Sequence, residues 1–287
     1  VIAVSDIRRD AAKRCAEECR VPKIYDDPRR LMEDKEIEAV IICSSTDTHT
    51  EFIEYAAENG KHIFCEKPLD VDLERIDRAI RAADKAGVKL QVGFNRRFDP
   101  NFARVKVAVV NGEIGEPPLL HLISRDPSPP PIEYVKVSGG IFMDMTIHDF
   151  DMSRFVLGSE VKEIYATGAV RIDPEIGKAG DIDTAIVLLK FDGDVIGTID
   201  NSRKAVYGYD QRIEVFGSMG SISTGNNTPH NTLLANSMGI HAPNPLNFFM
   251  DRYIESYIRE MQEFISAVRE DRDPPATGHD GKMAVVM

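Results

Sequence analysis

Positive charge is what this sequence has least of. Lys and Arg number 35 against 47 Asp and Glu, a formal net charge of −12. A phosphate backbone needs a basic surface, so nucleic acid is excluded as the natural partner. Long apolar runs are missing as well. No stretch reaches the roughly 18 residues of a bilayer-spanning helix, so no membrane partner is expected. No cationic segment leads into an apolar one at the start, and secretion is not expected either. Cysteine is scarce: Cys15, Cys19, Cys43 and Cys65 form no C-x-x-C pair. They read as reduced thiols of a cytoplasmic protein rather than as a Cys15/Cys19 metal half-site. Internal repeats and low-complexity tracts are also absent, which leaves ordinary globular domains.

The 287 residues, 43% of them hydrophobic and 29% charged, suffice for two soluble domains. Over residues 1–94 short apolar strands alternate with amphipathic helices. Strands are expected at 1–4, 39–43, 62–65 and 90–93. Helices are expected at 9–18, at 28–33 behind Asp27, at 48–59 closed by Gly60, and at 73–86 closed by Gly87. Strand–helix repetition at this spacing predicts an α/β domain with a parallel, doubly wound sheet. From Asn95 the texture changes. Strands of period two are expected at 119–124, 161–169, 184–191, 195–201, 212–216 and 221–224, with helices at 143–157 and 247–271. The polar stretch 225–244 reads as a loop or irregular edge. Residues 95–287 are therefore expected to form an α+β domain with a large, mostly antiparallel open sheet.

Ligands of open parallel sheets bind at the carboxyl ends of the strands. Asp6 ends the first strand, where a carboxylate can hold both ribose hydroxyls of an adenosine and repel a 2′-phosphate. That favours NAD over NADP, although Arg8 and Arg9 keep NADP open, and Asp6 can equally cap the following helix. Ser44, Ser45 and Thr46 end the second strand; they can bond a cofactor ribose or cap a helix, and His49 is a candidate of the same kind. Glu66-Lys67-Pro68 follows the third strand. A lysine at a buried strand end is costly unless its charge is used, whether by a ligand or by Glu66. The proline fixes the backbone there, and its peptide bond can be cis.

Asp144 and His148 stand four apart and share one face of a helix, as a carboxylate–imidazole pair for general base work requires. Asp151 falls on that face too, while Asp149 points elsewhere, and Gly139-Gly140 leaves room for a ligand. The same groups suit a solvated ion pair. They also suit a metal site, against which no second His or Cys stands at ligand spacing, and no metal is expected. Arg96-Arg97, Arg125-Asp126 and Tyr207 offer hydrogen-bonding groups to a hydroxyl-rich ligand, and each is equally at home as structure.

Taken together, Cys65-Glu66-Lys67-Pro68-Leu69, Gly93-Phe94-Asn95-Arg96-Arg97 and Asp144-x-x-x-His148 resemble the glucose–fructose oxidoreductase/inositol dehydrogenase (Gfo/Idh/MocA) family. The likeness covers nearly the whole chain with motif order and spacing kept. Residues 138–140, 144–151 and 205–212 look most like the myo-inositol 2-dehydrogenase branch. The resemblance implies a dinucleotide-binding domain followed by a domain whose open sheet makes homo-oligomer contacts, as a tetramer or dimer. It implies a catalytic group of Lys67, Asp144 and His148 that oxidises a cyclic polyol with NAD. His148 would take the hydroxyl proton, Lys67 would polarise the reacting oxygen, and Asp144 would orient the ring hydroxyls and the imidazole. It further implies cofactor contacts from Glu66, Lys67 and Arg97, and substrate contacts from Arg97, Asp126, Asp151 and Tyr207. Another sugar, scyllo-inositol, or a non-catalytic NAD-binding regulator of the same fold are the alternatives. The family's G-x-G-x-x-G turn, which cradles the pyrophosphate, does not occur in the sequence, so roughly 30 residues of a βαβ unit are expected ahead of Val1, and weak NAD binding without them.

Overall fold

Local rules account for most elements of the computed structural model, which describes residues 1–287. The first strand, β1 (Ala3–Ser5), leads into α1 (Arg9–Cys19), β2 (Lys23–Tyr25) and α2 (Pro28–Glu33). Asp27 caps α2 by accepting from the N–H of Arg29, and Pro28 sits where no helical N–H is needed. Next come β3 (Ala39–Ile42), α3 (Thr46–Glu58), β4 (His62–Cys65), α4 (Leu73–Ala86) and β5 (Leu90–Val92). The α4 helix opens on the Asp72 carboxylate and closes on Gly87 at φ 68°, a left-handed conformation that glycine adopts without strain. All these strands pair in parallel, β1 with β2, and β3 with β4 with β5. The expected single sheet is thus held as a pair and a triple.

The chain divides into two units, residues 1–94 with 260–286, and residues 95–259 with Met287. This corrects the expectation that 95–287 belong together. The reason is a set of contacts far apart in sequence. The N–H of Val92 donates to the carbonyl of Ala276 at 2.9 Å. Phe64 and Phe264 meet edge-on at 6.0 Å. A Cβ on Gly281 would lie 2.8 Å from Leu69, so the last helix packs closely on that core.

In the second unit, α5 (Pro100–Val110) is followed by β6 (Leu119–Arg125), the short α6 (Ile132–Val135), α7 (Ile147–Leu157), β7 (Val161–Ala169) and α8 (Pro174–Lys178). Four further strands, β8 (Thr184–Phe191), β9 (Ile196–Ser202), β10 (Asp210–Gly217) and β11 (Gly220–Ser223), complete a six-stranded sheet. Its order is β11-β10-β6-β9-β8-β7, with only β6 and β9 parallel. One face is buried: along β8, Ala185, Val187, Leu189 and Phe191 are covered while Ile186 and Leu188 are open, the period of two that a half-buried strand demands. Two expectations need correction here. The stretch 225–244 holds a hairpin, β12 (Leu234–Asn236) with β13 (Gly239–His241). The helix expected over 143–157 begins as a π-helical turn, Phe142–Thr146, and becomes regular only at Ile147. The chain then runs through α9 (Phe249–Arg269) to α10 (Gly278–Val286).

Candidate functional site

In the first unit the residues of interest stand where β1, β3 and β4 end. Asp6 is exposed, and its Oδ1 accepts from the N–H of Arg8 at 2.7 Å. The N-cap of α1 is Arg8, so the capping alternative for Asp6 does not hold. Arg9 turns to Asp26 at 3.4 Å, away from any role beside Asp6. Ser45 is the N-cap of α3 yet makes no side-chain capping bond. Ser44 Oγ meets Thr48 Oγ1 at 2.6 Å, and both serines are exposed. An exposed carboxylate and exposed hydroxyls at strand ends suit the diols of a dinucleotide. His49 is different. It is 2% exposed, with Nδ1 at 2.8 Å from the Pro68 carbonyl and Nε2 at 2.9 Å from that of Ser44. Both ring nitrogens are committed to main chain, so His49 ties the β3 end to the β4 end and leaves no polar atom for a ligand.

The Lys67–Pro68 bond is cis. Glu66 is largely buried, and burial pushes its carboxyl above the usual carboxylate range, against the pull of Lys67's charge and N–H. It lies directly over Gly93, where an added Cβ would stand 2.8 Å from Glu66 Oε2 and 3.2 Å from its Cα. The Gly93 of the sequence motif is therefore a packing requirement of Glu66.

In the second unit the π-turn carries Asp144, and His148 is the second residue of α7. Four residues overshoot one turn of an α-helix and fall just short of one π-turn, so both side chains stay on one side of the run. π-Turns are frequent at functional sites. This one is pinned from β9: Thr146 Oγ1 donates to Asn201 Oδ1 at 2.5 Å. Asp144 accepts on both oxygens, from Tyr134 Oη at 2.7 Å and from Arg203 Nη1 at 3.0 Å. Burial, and then the Asp144 charge, push the Tyr134 phenol above its usual range. The other acids of the run are placed otherwise. Asp149 is fully buried and accepts from Arg96 Nη1 at 2.7 Å and Asn201 Nδ2 at 2.8 Å. Asp151 is 1% exposed and takes the fork of Arg97, with Nη2 at 2.6 Å and Nε at 2.9 Å.

Asp151 was expected to touch substrate; a carboxylate this buried needs a countercharge, and Arg97 supplies it. For the same reason Asp151 is no third metal ligand beside Asp144 and His148. Asp126 is half-buried at the end of β6; its N–H and carbonyl bond the strand end at Ser202 and Ala205. Tyr207 donates to Asp210 at 2.6 Å and accepts from Arg125 at 3.1 Å, so its hydroxyl belongs to a charged network on that sheet edge. Sequence reasoning missed Tyr134, Asp181 and Arg203, which no local pattern marks.

Comparison with known proteins identifies the family. Residues 1–94 match the oxidoreductase family with an NAD-binding Rossmann fold, and residues 102–223 match the GFO/IDH/MocA C-terminal domain. The chain is 51% identical to a myo-inositol 2-dehydrogenase of Thermotoga maritima over 285 residues, 99% of this chain and 85% of that protein. A crystal structure of a myo-inositol dehydrogenase from Corynebacterium glutamicum superposes with a TM-score of 0.94 at 37% identity, covering 99% of this chain and 85% of that one. Another, of myo-inositol dehydrogenase from Lactobacillus casei in complex with NAD(H) and myo-inositol, gives 0.88 at 26% identity, covering 100% and 84%. The parallel α/β unit, the mostly antiparallel sheet and these relatives together show that the chain belongs to the GFO/IDH/MocA family of NAD-binding oxidoreductases.

Proposed function

We propose that this chain is an NAD-dependent dehydrogenase that oxidises a secondary alcohol of myo-inositol or a close cyclitol. One observation carries the reading. Of the four titratable side chains between 144 and 151, Asp149 and Asp151 are buried against arginines, whereas Asp144 and His148 keep partial exposure. Burial of two acids against arginines, with one acid and an imidazole left partly open on the same side of the run, supports reading Asp144 and His148 as an acid–base pair. The likeness to a myo-inositol 2-dehydrogenase at 51% identity supplies the substrate class.

NAD, when bound, supplies the hydride acceptor. Asp6, Ser44, Ser45 and Thr46 are assigned to hold it, with Glu66 and Lys67 at the next strand end. An acidic group at Asp6 favours NAD, since it would repel a 2′-phosphate. His148 takes the proton of the reacting hydroxyl, Lys67 polarises its oxygen, and Asp144 accepts from neighbouring hydroxyls and orients the imidazole. Arg97 is assigned an indirect part, through its pairing with Asp151, and Asp126 and Tyr207 remain candidates for outer hydroxyls. We assign the chain to the cytoplasm, where its four free thiols suit a reducing compartment. We assign it a homo-oligomeric state, tetramer or dimer, on the exposed apolar face of its sheet.

The test follows NADH absorbance with the purified protein across a panel of polyols. Turnover with myo-inositol is expected. Tight NAD binding without turnover of any polyol would overturn the enzyme reading in favour of a regulator. His148→Ala should lower turnover by roughly 10²–10⁴-fold with NAD affinity nearly unchanged. Equal loss of both would make His148 structural.

A further inference from the structure

Arg203 is the largest fully buried side chain in the molecule, at 0% exposure. A guanidinium there is unfavourable unless its charge is met on every side. Two carboxylates meet it: Nη1 donates to Asp144 Oδ2 at 3.0 Å and Nη2 to Asp181 Oδ2 at 3.3 Å. Its Nε, also buried, has no hydrogen-bond partner. The side chain is instead oriented for the two carboxylates at its tip.

The second carboxylate is itself fixed. Asp181 Oδ1 accepts from the N–H of Ile141, the residue that opens the π-turn, at 3.0 Å. Gly140 makes room for it. Its φ is +82°, and a Cβ there would lie 2.9 Å from Asp181 Oδ1. The backbone of Arg203 is anchored too, through its N–H on the Asp183 carbonyl at 2.9 Å. A closed set of contacts thus runs from the start of the π-turn through Asp181 and Arg203 back to Asp144, three residues further along.

We propose that Arg203 is a positioning residue: with Asp181 as its second anchor, it fixes the plane of the Asp144 carboxylate for the hydroxyls of the polyol. The inference rests on the reading of Asp144 as part of the acid–base pair. Tyr134 holds the other oxygen, so the Asp144 carboxylate is fixed from both sides in one orientation. Lysine is a poor replacement for this arginine, because its donors sit on one atom and do not form the planar fork whose two separate nitrogens reach the two acids here.

The experiment is a double-mutant cycle on the whole protein with myo-inositol and NAD, using Arg203→Lys and Asp144→Asn singly and together. Arg203→Lys alone should lower kcat/KM by roughly tenfold or more, while NADH affinity, read by its fluorescence, stays within about twofold. In the Asp144→Asn background the same change should cost less than about threefold, since the residue it positions has lost its charge. Losses that simply multiply, or NADH affinity that falls in step with turnover, would overturn the proposal and make Arg203 a packing residue. If Arg203→Lys does not fold, Asp181→Asn, which removes only the far anchor, enters the same cycle with the same expectation. Wild-type protein inert towards every cyclitol would overturn the function itself; an active wild type with multiplying losses overturns only the role of Arg203.

Discussion

Glu66 shows how a single side chain links the fold to the chemistry. Its carboxyl is raised by burial, and Lys67 beside it offsets that only in part. A carboxyl whose pKa is higher folded than unfolded binds more protons in the native state across the interval between the two values. Its contribution to stability is therefore full below the unfolded value and is lost as pH rises through the folded one. Glu66→Gln removes the titration while keeping the shape over Gly93. It should raise the melting temperature at pH 8 relative to wild type and bring the two proteins together near pH 4. Melting curves that differ equally at both pH values would show that Glu66 acts through packing alone. The sequence made Lys67 suggestive and Asp144 with His148 credible, because spacing along a helix is local information. Arg203 was not legible, since its partners lie 59 and 22 residues away and nothing in Asn201-Ser202-Arg203-Lys204 marks a buried guanidinium.

At the scale of elements, legibility follows the range of the forces that make each one. The caps at Asp27 and Asp72 and the glycine closing α4 are set within a few residues, and the alternation of β8 is set by one buried face. The β12–β13 hairpin escaped because its strands are three exposed residues each, with no apolar alternation to read. The return of 260–286 to the first unit escaped because it rests on contacts with strands about 170 residues earlier, such as Gln91 Nε2 on the Glu260 carbonyl. The π-turn escaped for another reason: over one turn, apolar spacing does not separate a five-residue ladder from a four-residue one. What holds that turn is Asn201, which accepts from Thr146 and donates to the buried Asp149 carboxylate at 2.8 Å. Asn201→Ala removes both bonds: Thr146 keeps only its 3.3 Å bond to the Ile141 carbonyl, and the Asp149 oxygen that faced Asn201 loses that donor, at about 1–3 kcal/mol in all. The urea midpoint should fall accordingly, and turnover should fall more than NADH affinity, because Asp144 rides on the turn. An unchanged midpoint would mean that the turn is held without this contact.

For the whole molecule, the open face of the six-stranded sheet sets the remaining question. Ile186 is 42% exposed, Leu188 44%, Ile196 48% and Tyr165 65%, and Tyr165 sits opposite Leu188 in the register of β7 and β8. An apolar face of this kind is poorly matched to water, and a second copy of the chain could cover it if that burial outweighs the repulsion between two chains of net charge −12. A symmetric dimer uses the same patch twice, so one substitution near its centre acts twice. Leu188→Glu would place two carboxylates across such an interface, each without a countercharge, on a chain already rich in negative charge. Light scattering after size exclusion should then report a smaller assembly than wild type. The melting temperature of wild type should rise with protein concentration, since association stabilises only the folded chain, and that dependence should vanish in the variant. If Leu188→Glu keeps the wild-type mass and the wild-type concentration dependence, the sheet face is not a surface on which copies of the chain meet.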